Sequence, residues 1–547
     1  MGIKTDIKNI IRGEADDSPK TREFYSHDAS LFELEPDVVV YPKNSKDVQA
    51  IIQYVKTHKD ENPELSITAR SAGTDMSGGA INESIILDMN KHFTAIKKVT
   101  KNSAHTEPGV FYRDFEKATL KHKALMPSYP ASRGLCTVGG MVANNSGGEK
   151  SLEYGKTENF VTELKAVLAD GHEYTFGPLN KKQLDKKMDQ KDFEGEVYRK
   201  MFKLLDGKYE RIKNAKPNVT KNSTGYNLWD VWDREKGIFD MTKLLVGSQG
   251  TLGIVTDIKF RLVPTRAHSG LLVCFMTDTA KLGEIINVVL DHKPATFESF
   301  DDHTLWLSIK FMPYFVKTLG VAGVIKLMFS LLPDGLMLLR GIPKLILMIE
   351  FNGDTKEEVE DKINAMRETL KPYGMAMERD PDEDSSQKFW IMRRESFNLL
   401  RKKVRDKHTA PFIDDLVVPP QHLPEFLPQL RRIIKKYNLL ATIAGHMGDG
   451  NFHIIPLMKI EEKTERKKLR PAMKEVNELV LRYKGSLSGE HNDGLVRGPW
   501  LPQMYGPEIY EFFRKTKRIF DADDIFNPHK KAYADWDFSM SHIRQHF

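Results

Sequence analysis

Arg70-Ser71-Ala72-Gly73-Thr74-Asp75-Met76-Ser77-Gly78-Gly79 runs directly on from the strand pattern Ser66-Ile-Thr-Ala-Arg70. Successive backbone N–H groups in such a loop can form a nest for a pyrophosphate, and glycine lets the backbone approach closely. Two more glycine-rich stretches follow. One is Pro130-Ala-Ser-Arg-Gly-Leu-Cys-Thr137-Val-Gly139-Gly140-Met-Val-Ala-Asn144-Asn145-Ser146-Gly147-Gly148, and the other is Gly247-Ser-Gln-Gly250-Thr251-Leu-Gly253-Ile254-Val255. Neither the G-x-G-x-x-G spacing of a dinucleotide fold nor a Walker lysine loop is present. Three such loops, rich in small polar residues, fit a long cofactor threaded between two subdomains.

The surrounding pattern agrees. Pro36-Asp-Val-Val-Val40 and Ile85-Ile-Leu-Asp88 read as buried strands, and Asn44-Ser45 caps a helix carrying Val48, Ile51, Ile52 and Val55. Residues 161–176 predict a hairpin turning at Asp170-Gly171, and the lysine-rich residues 180–222 predict a surface insertion. After Pro264 a strand, helix and strand (271–275, 280–290, 295–300) are followed by a second strand and helix (344–351, 355–370). That repetition suggests a split βαβ sandwich, interrupted at 310–342. The domain reading is an arm over 1–34, a cofactor domain over 35–264, a cap over 265–510 and a C-terminal segment over 511–547.

Composition excludes several classes. At 547 residues the chain is long enough for several cores, with 40% hydrophobic and 29% charged residues. A net charge of +6 spread along the chain gives no nucleic-acid signature. Two distant cysteines, Cys136 and Cys274, exclude a disulfide framework or an iron–sulfur cluster and point to a reducing compartment. The charged start lacks the apolar core of a signal peptide, so cytoplasmic synthesis without export is expected. No apolar run reaches the length of a membrane span. Residues 314–332 mix aromatic and aliphatic side chains with two lysines, and could lie on the inner surface of a membrane.

Chemistry concentrates in Ala444-Gly-His446-Met-Gly-Asp-Gly-Asn-Phe-His453 and Ser488-Gly-Glu490-His491-Asn-Asp-Gly494. The turn at Gly448-Asp-Gly-Asn451 predicts a hairpin that carries both imidazoles to one end of a sheet. His446, His453 and Glu490 make an open site for a divalent metal, and His491 stands where a general base is useful.

Together these segments resemble the FAD-dependent D-2-hydroxyacid dehydrogenases of the vanillyl-alcohol oxidase, or PCMH-type, superfamily, which include D-lactate dehydrogenase and the glycolate oxidase flavoprotein subunit. The resemblance covers residues 26–527 and implies an α+β fold: an FAD-binding domain of two α/β subdomains, a ferredoxin-like cap and a C-terminal helical segment. It implies that Arg70, Ser71, Ala72, Gly73, Thr74, Asp75, Ser77 and Gly78 wrap the FAD pyrophosphate. Pro130, Thr137, Gly139, Gly140, Asn144, Gly147, Tyr154 and Gly155 match the flavin-contacting segment, while Ile254, Val255 and Asn527 match further flavin contacts. No histidine in 70–79 matches the superfamily's covalent flavin link, so FAD is expected to be non-covalent. His446, His453 and Glu490 match zinc or manganese ligands, His491 the base, and Arg393 in Phe389-Trp390-Ile-Met-Arg393 the anchor for a substrate carboxylate. Arg497 is a second candidate anchor.

Oxidation of a 2-hydroxy acid needs a proton removed from oxygen and a hydride passed from carbon to flavin N5. The implied activity is therefore that of an FAD- and metal-dependent dehydrogenase passing electrons to a quinone, a cytochrome or an iron–sulfur protein. An oxidase or a non-redox synthase like the alkylglycerone-phosphate enzyme is the alternative on this scaffold. The chain departs from the family at Asn492, where glycine is usual, and at His529 in Asn527-Pro528-His529-Lys530. No lysine for a second substrate carboxylate lies near Asp414-Asp415, an acidic pair read as facing the pocket. That favours a monocarboxylate such as D-lactate or glycolate.

Overall fold

The computed structural model describes residues 2–302, 343–380, 389–390 and 407–545. Arg393, the 310–342 insertion and most of the helical stretch expected over 384–403 lie outside the described residues.

Strands Val38–Tyr41 and Ile67–Arg70 both pair parallel to Ile85–Asp88, with Glu14–Asp16 at the edge. Helix Ser45–His58 packs Val48, Ile51, Ile52 and Val55 against this sheet, burying all four. Its start is fixed as the sequence indicates, with the Asn44 side chain accepting from Lys46 and Asp47 N–H. Asp47 then accepts from the N–H groups of Arg12, Gly13 and Lys43, which locks the arm to the helix. A second, antiparallel sheet orders Ile96–Val99, Ser103–Thr106, Ile254–Arg261, Val161–Val167 and Glu173–Phe176. The two sheets are the subdomains, and the glycine-rich loops lie between them.

Residues 180–222 are not only surface. Helix Phe193–Gly207 buries Val197, Tyr198, Met201 and Leu205 in the core of the second subdomain, and Lys221 is fully buried. The surface reading of this segment is corrected: its lysines dominate the composition, while its apolar residues keep helical spacing on one face.

In the cap, strands Ala376–Asp380, His268–Met276, Leu345–Gly353 and Thr296–Asp301 lie side by side in that order, all antiparallel. Numbered along the chain this order is 4-1-3-2, that of a ferredoxin-like unit, and helices Leu282–Asp291 and Lys356–Leu370 cover one face. Phe389 and Trp390 are buried on the opposite face with Phe275 and Phe300. Hairpin Leu440–His446 and Asn451–Met458 extends the sheet by pairing Ser299 with Gly445 and Phe300 with Ala444. Glu298 is thereby brought beside the end of the histidine hairpin.

Helix Leu501–Phe520 is kinked at Gly506 (φ 74°) before Pro507, and the chain then returns to the first subdomain. Asn527 N–H donates to Ile67 O, its side-chain amide donates to Gly79 O (2.8 Å) and Gln249 O (2.6 Å), and Thr68 Oγ1 donates to its carbonyl oxygen. Asn527 is 1% exposed, so truncation strands buried polar groups. Asn527→Ala is expected to cost about 1–3 kcal/mol of stability in denaturant unfolding; a shift under about 0.5 kcal/mol would contradict this stapling role.

Candidate functional site

The three glycine-rich loops meet the cap along one cavity of about 480 Å³. Arg70, Ser71, Ala72, Gly73, Thr74, Asp75, Pro130, Thr137, Gly139, Gly140, Asn144 and Val255 line it from the cofactor domain. His453, Glu490 and His491 line it from the cap, joined by Thr442, Ala444 and Ile455. The last three alternate along the two hairpin strands with the same parity as His453, a period-2 signal present in the sequence. Ser132, Cys136, Gln249 and Gly250 also line the cavity without having been singled out.

Two lining residues also hold the loop in shape. Arg70 donates to Tyr25 O (3.1 Å) and His27 O (2.8 Å) and sits over the Tyr25 ring. Asp75 accepts from Ser77 N–H and Oγ, Gly79 N–H and the Asn144 amide, so its carboxylate shapes the turn. The N–H groups of Ala72, Gly73 and Thr74, by contrast, donate to no acceptor among the described residues. They remain available to an anion such as a pyrophosphate. Ser77, Gly78, Ile254 and Asn527 lie behind the lining, and Tyr154 and Gly155 stand apart from it, Tyr154 lining a separate cleft near Arg266. Gly147 sits against Glu490: a Cβ there would be 3.1 Å from Glu490 Oε2.

Three imidazoles converge on one carboxylate oxygen. His446 Nε2 and His453 Nε2 lie 3.3 and 3.2 Å from Glu490 Oε1, and His491 Nε2 lies 3.9 Å from it. Bonds of about 2.0–2.1 Å at a tetrahedral angle place neighbouring ligand atoms roughly 3.3–3.4 Å apart, a spacing each of the first two contacts matches. The ligand atoms that all lie within 4.8 Å of one another, however, are those of Asp415, His453, Glu490 and His491, without His446. Each imidazole is aimed by a buried carboxylate at its other nitrogen. His446 Nδ1 meets Glu298 Oε1 at 2.6 Å, while His453 Nδ1 and His491 Nδ1 meet Asp414 at 3.3 and 2.6 Å. Such partners fix the tautomer that presents Nε2 to the centre.

The reading of Asp414-Asp415 as an acidic pair facing the pocket is corrected here. Both are 0% exposed. Asp415 accepts from Ser488 Oγ, the Asn451 amide and the N–H groups of Glu490 and His491, holding their loop. Asp415 also brings an oxygen within 4.8 Å of ligand atoms of His453, Glu490 and His491, but these donors already occupy it. The argument for a monocarboxylate drawn from that pair loses its basis. Arg497 donates to Asn492 O and Asp414 O, which makes it a brace rather than an anchor facing substrate. Asn492 keeps the backbone that glycine would have: its φ is 68°, in the left-handed region asparagine tolerates. Its amide also donates to Asn144 O and Gly247 O, tying the base loop to the cofactor domain.

Charge follows from this packing. Burial would lower the pKa of His453, but hydrogen bonds and charges from Asp414 and Glu490 push it up to about 10. Burial likewise opposes a rise at His491, and the Asp414 and Asp415 charges overcome it. Glu490 is held well below the usual carboxylate range against its burial, chiefly by Lys221 and His446. Without a cation, His453 therefore carries a proton at neutral pH. Adding Zn²⁺ or Mn²⁺ to metal-free protein is expected to release protons, with affinity falling as pH drops because protons compete for His453. Calorimetry in buffers of different ionisation enthalpy measures this; metal uptake without proton release would contradict it.

Comparison with known proteins bears on both halves of the site. Residues 36–177 match the family described as FAD binding domain, and residues 265–531 match FAD linked oxidases, C-terminal domain. D-2-hydroxyglutarate dehydrogenase of Pseudomonas putida is 26% identical over 528 residues, covering 95% of this chain and 50% of that protein. The chain thus spans about half the length of the D-2-hydroxyglutarate dehydrogenases among its first matches. Glycolate oxidase subunit GlcD of Bacillus subtilis is 26% identical over 531 residues, covering 95% of this chain and 94% of that one. Among solved structures, 4-ethylphenol oxidase from Gulosibacter chungangensis superposes with a TM-score of 0.66 at 15% identity, over 97% of this chain and 96% of that one. No helix among the described residues is long and apolar enough to cross a membrane. The chain therefore carries an FAD binding domain over residues 36–177 followed by a C-terminal domain of FAD linked oxidases over residues 265–531, on a fold shared with 4-ethylphenol oxidase.

Proposed function

We propose that the protein is a dehydrogenase of D-2-hydroxy acids that uses non-covalent FAD and a divalent cation held by His446, His453 and Glu490. The observation that carries this reading is the convergence of three carboxylate-aimed imidazoles on Glu490 Oε1 at the wall of the cofactor cavity. Charge is compatible with the cation: buried Glu298, Asp414, Asp415, Asp449 and Glu490 are offset by Lys156, Lys221 and Arg497 together with His453 and His491, whose pKa values are raised, and a divalent cation would take the place of imidazole protons.

When bound, FAD supplies the two-electron acceptor and the cation supplies a Lewis acid for the developing alkoxide. The protein's own groups do the rest. His491 Nδ1 is held by Asp414, so Nε2 faces the cavity and takes the hydroxyl proton, and Asp414 stabilises the imidazolium that forms. Thr442, Ala444 and Ile455 shape the cap wall beside it. Arg393 remains the proposed carboxylate anchor. Glycolate, D-lactate and D-2-hydroxyglutarate are the substrates to try first, all three named in relatives. The proposed electron acceptor is a quinone, a cytochrome or an iron–sulfur protein.

The test is anaerobic addition of D- and L-2-hydroxy acids to the FAD-loaded protein. Bleaching of the flavin band by a D-acid is expected. A flavin that stays oxidised with every acid, in protein shown to hold metal, would overturn the reading. His491→Ala is expected to bind FAD normally and to lose about 10²–10⁴-fold in the rate of bleaching; an unchanged rate would remove His491 from the base role.

A further inference from the structure

Lys221 lies behind Glu490, its side chain 1% exposed. Its ammonium is 3.1 Å from Asp449 Oδ2 and 3.5 Å from Glu490 Oε2, and it donates to Gly148 O at 3.2 Å. The chain around it is stitched to both loops of the cluster. Thr220 Oγ1 donates to Asp449 O, Ser223 N–H to Ser488 O, and Ser223 Oγ to Gly489 O. Lysine 221 is therefore delivered by the cofactor domain to a fixed point inside the cap site.

The two oxygens of Glu490 consequently have different surroundings. Oε1 faces the imidazoles of His446 and His453; Oε2 makes no hydrogen bond and faces the Lys221 ammonium. A carboxylate free to turn could put both oxygens on one cation. The second oxygen would then fill a coordination position that an incoming hydroxy acid needs.

We propose that Lys221 is a positioning residue that holds Glu490 to a single ligating oxygen and so keeps a coordination position open for substrate. This rests on the reading of the cluster as a metal site. Removing the ammonium therefore strengthens metal binding while weakening catalysis, the opposite of what a merely structural lysine would do.

The experiment uses the FAD-loaded full chain and the variants Lys221→Met and Lys221→Gln. Zn²⁺ and Mn²⁺ are titrated against a competing chelator, and kcat/KM is measured with whichever D-2-hydroxy acid bleaches the wild-type flavin. In Lys221→Met, metal affinity is expected to rise at least about tenfold, since a like charge is gone, while kcat/KM falls about 10–100-fold. Lys221→Gln keeps a polar N–H group beside Oε2 without the charge, so its kcat/KM is expected to recover to within about tenfold of wild type. Wild-type values of both quantities in Lys221→Met overturn the proposal, as does metal affinity that falls together with activity. If Lys221→Met loses its flavin, Lys221→Gln decides alone: tighter metal binding supports the proposal, and weaker or unchanged binding overturns it. Failure of the wild-type protein to take up either metal overturns the metal reading itself, and is seen before any variant is compared.

Discussion

The Asp414 carboxylate is the constraint on which the site depends. It is 0% exposed, and it meets His453 Nδ1 with one oxygen and His491 Nδ1 with the other. One rigid group thus aims a candidate metal ligand and a candidate base together, and their rings stack at 5.0 Å. Arg497 donates to the Asp414 carbonyl, and Ile454 N–H donates to its carboxylate. A buried carboxylate with this many partners resists reorientation, which is what a preorganised site requires.

Around it, each half of the protein completes the other. The cap supplies the imidazoles and Glu490, while the cofactor domain supplies Lys221 and, through Asn144 and Gly247, the carbonyls that Asn492 grips. The C-terminal return adds a third tie, since Asn527 joins Gly79 to Gln249 beside two of the glycine-rich loops. The cavity between the domains is in this way held by polar contacts that need both domains in register.

What was legible in the sequence was local. The glycine loops, the capped helix at Asn44, the histidine hairpin and the strand–helix repetition of the cap each announce themselves within about ten to twenty residues, because backbone turns and side-chain periodicity are local properties. The partners that aim the histidines were hidden, since Glu298 comes from another strand and Asp414 from a distant loop, and a carboxylate's direction leaves no mark in the sequence. That is why Asp414-Asp415 read as acid facing a pocket. Lys221 was lost among the lysines of 180–222, although Val197, Tyr198, Met201 and Leu205 carry a helical spacing that could have placed that segment against a core. Arg70, grouped in the sequence with the pyrophosphate loop, lines the cavity and also clasps the N-terminal arm.

The most direct test is a crystal of the FAD-loaded protein grown with Zn²⁺ or Mn²⁺ and measured at the metal's absorption edge. The account expects one anomalous peak within about 2.0–2.3 Å of His446 Nε2, His453 Nε2 and Glu490 Oε1, facing the flavin. A fully occupied flavin with no peak among those three atoms would contradict it.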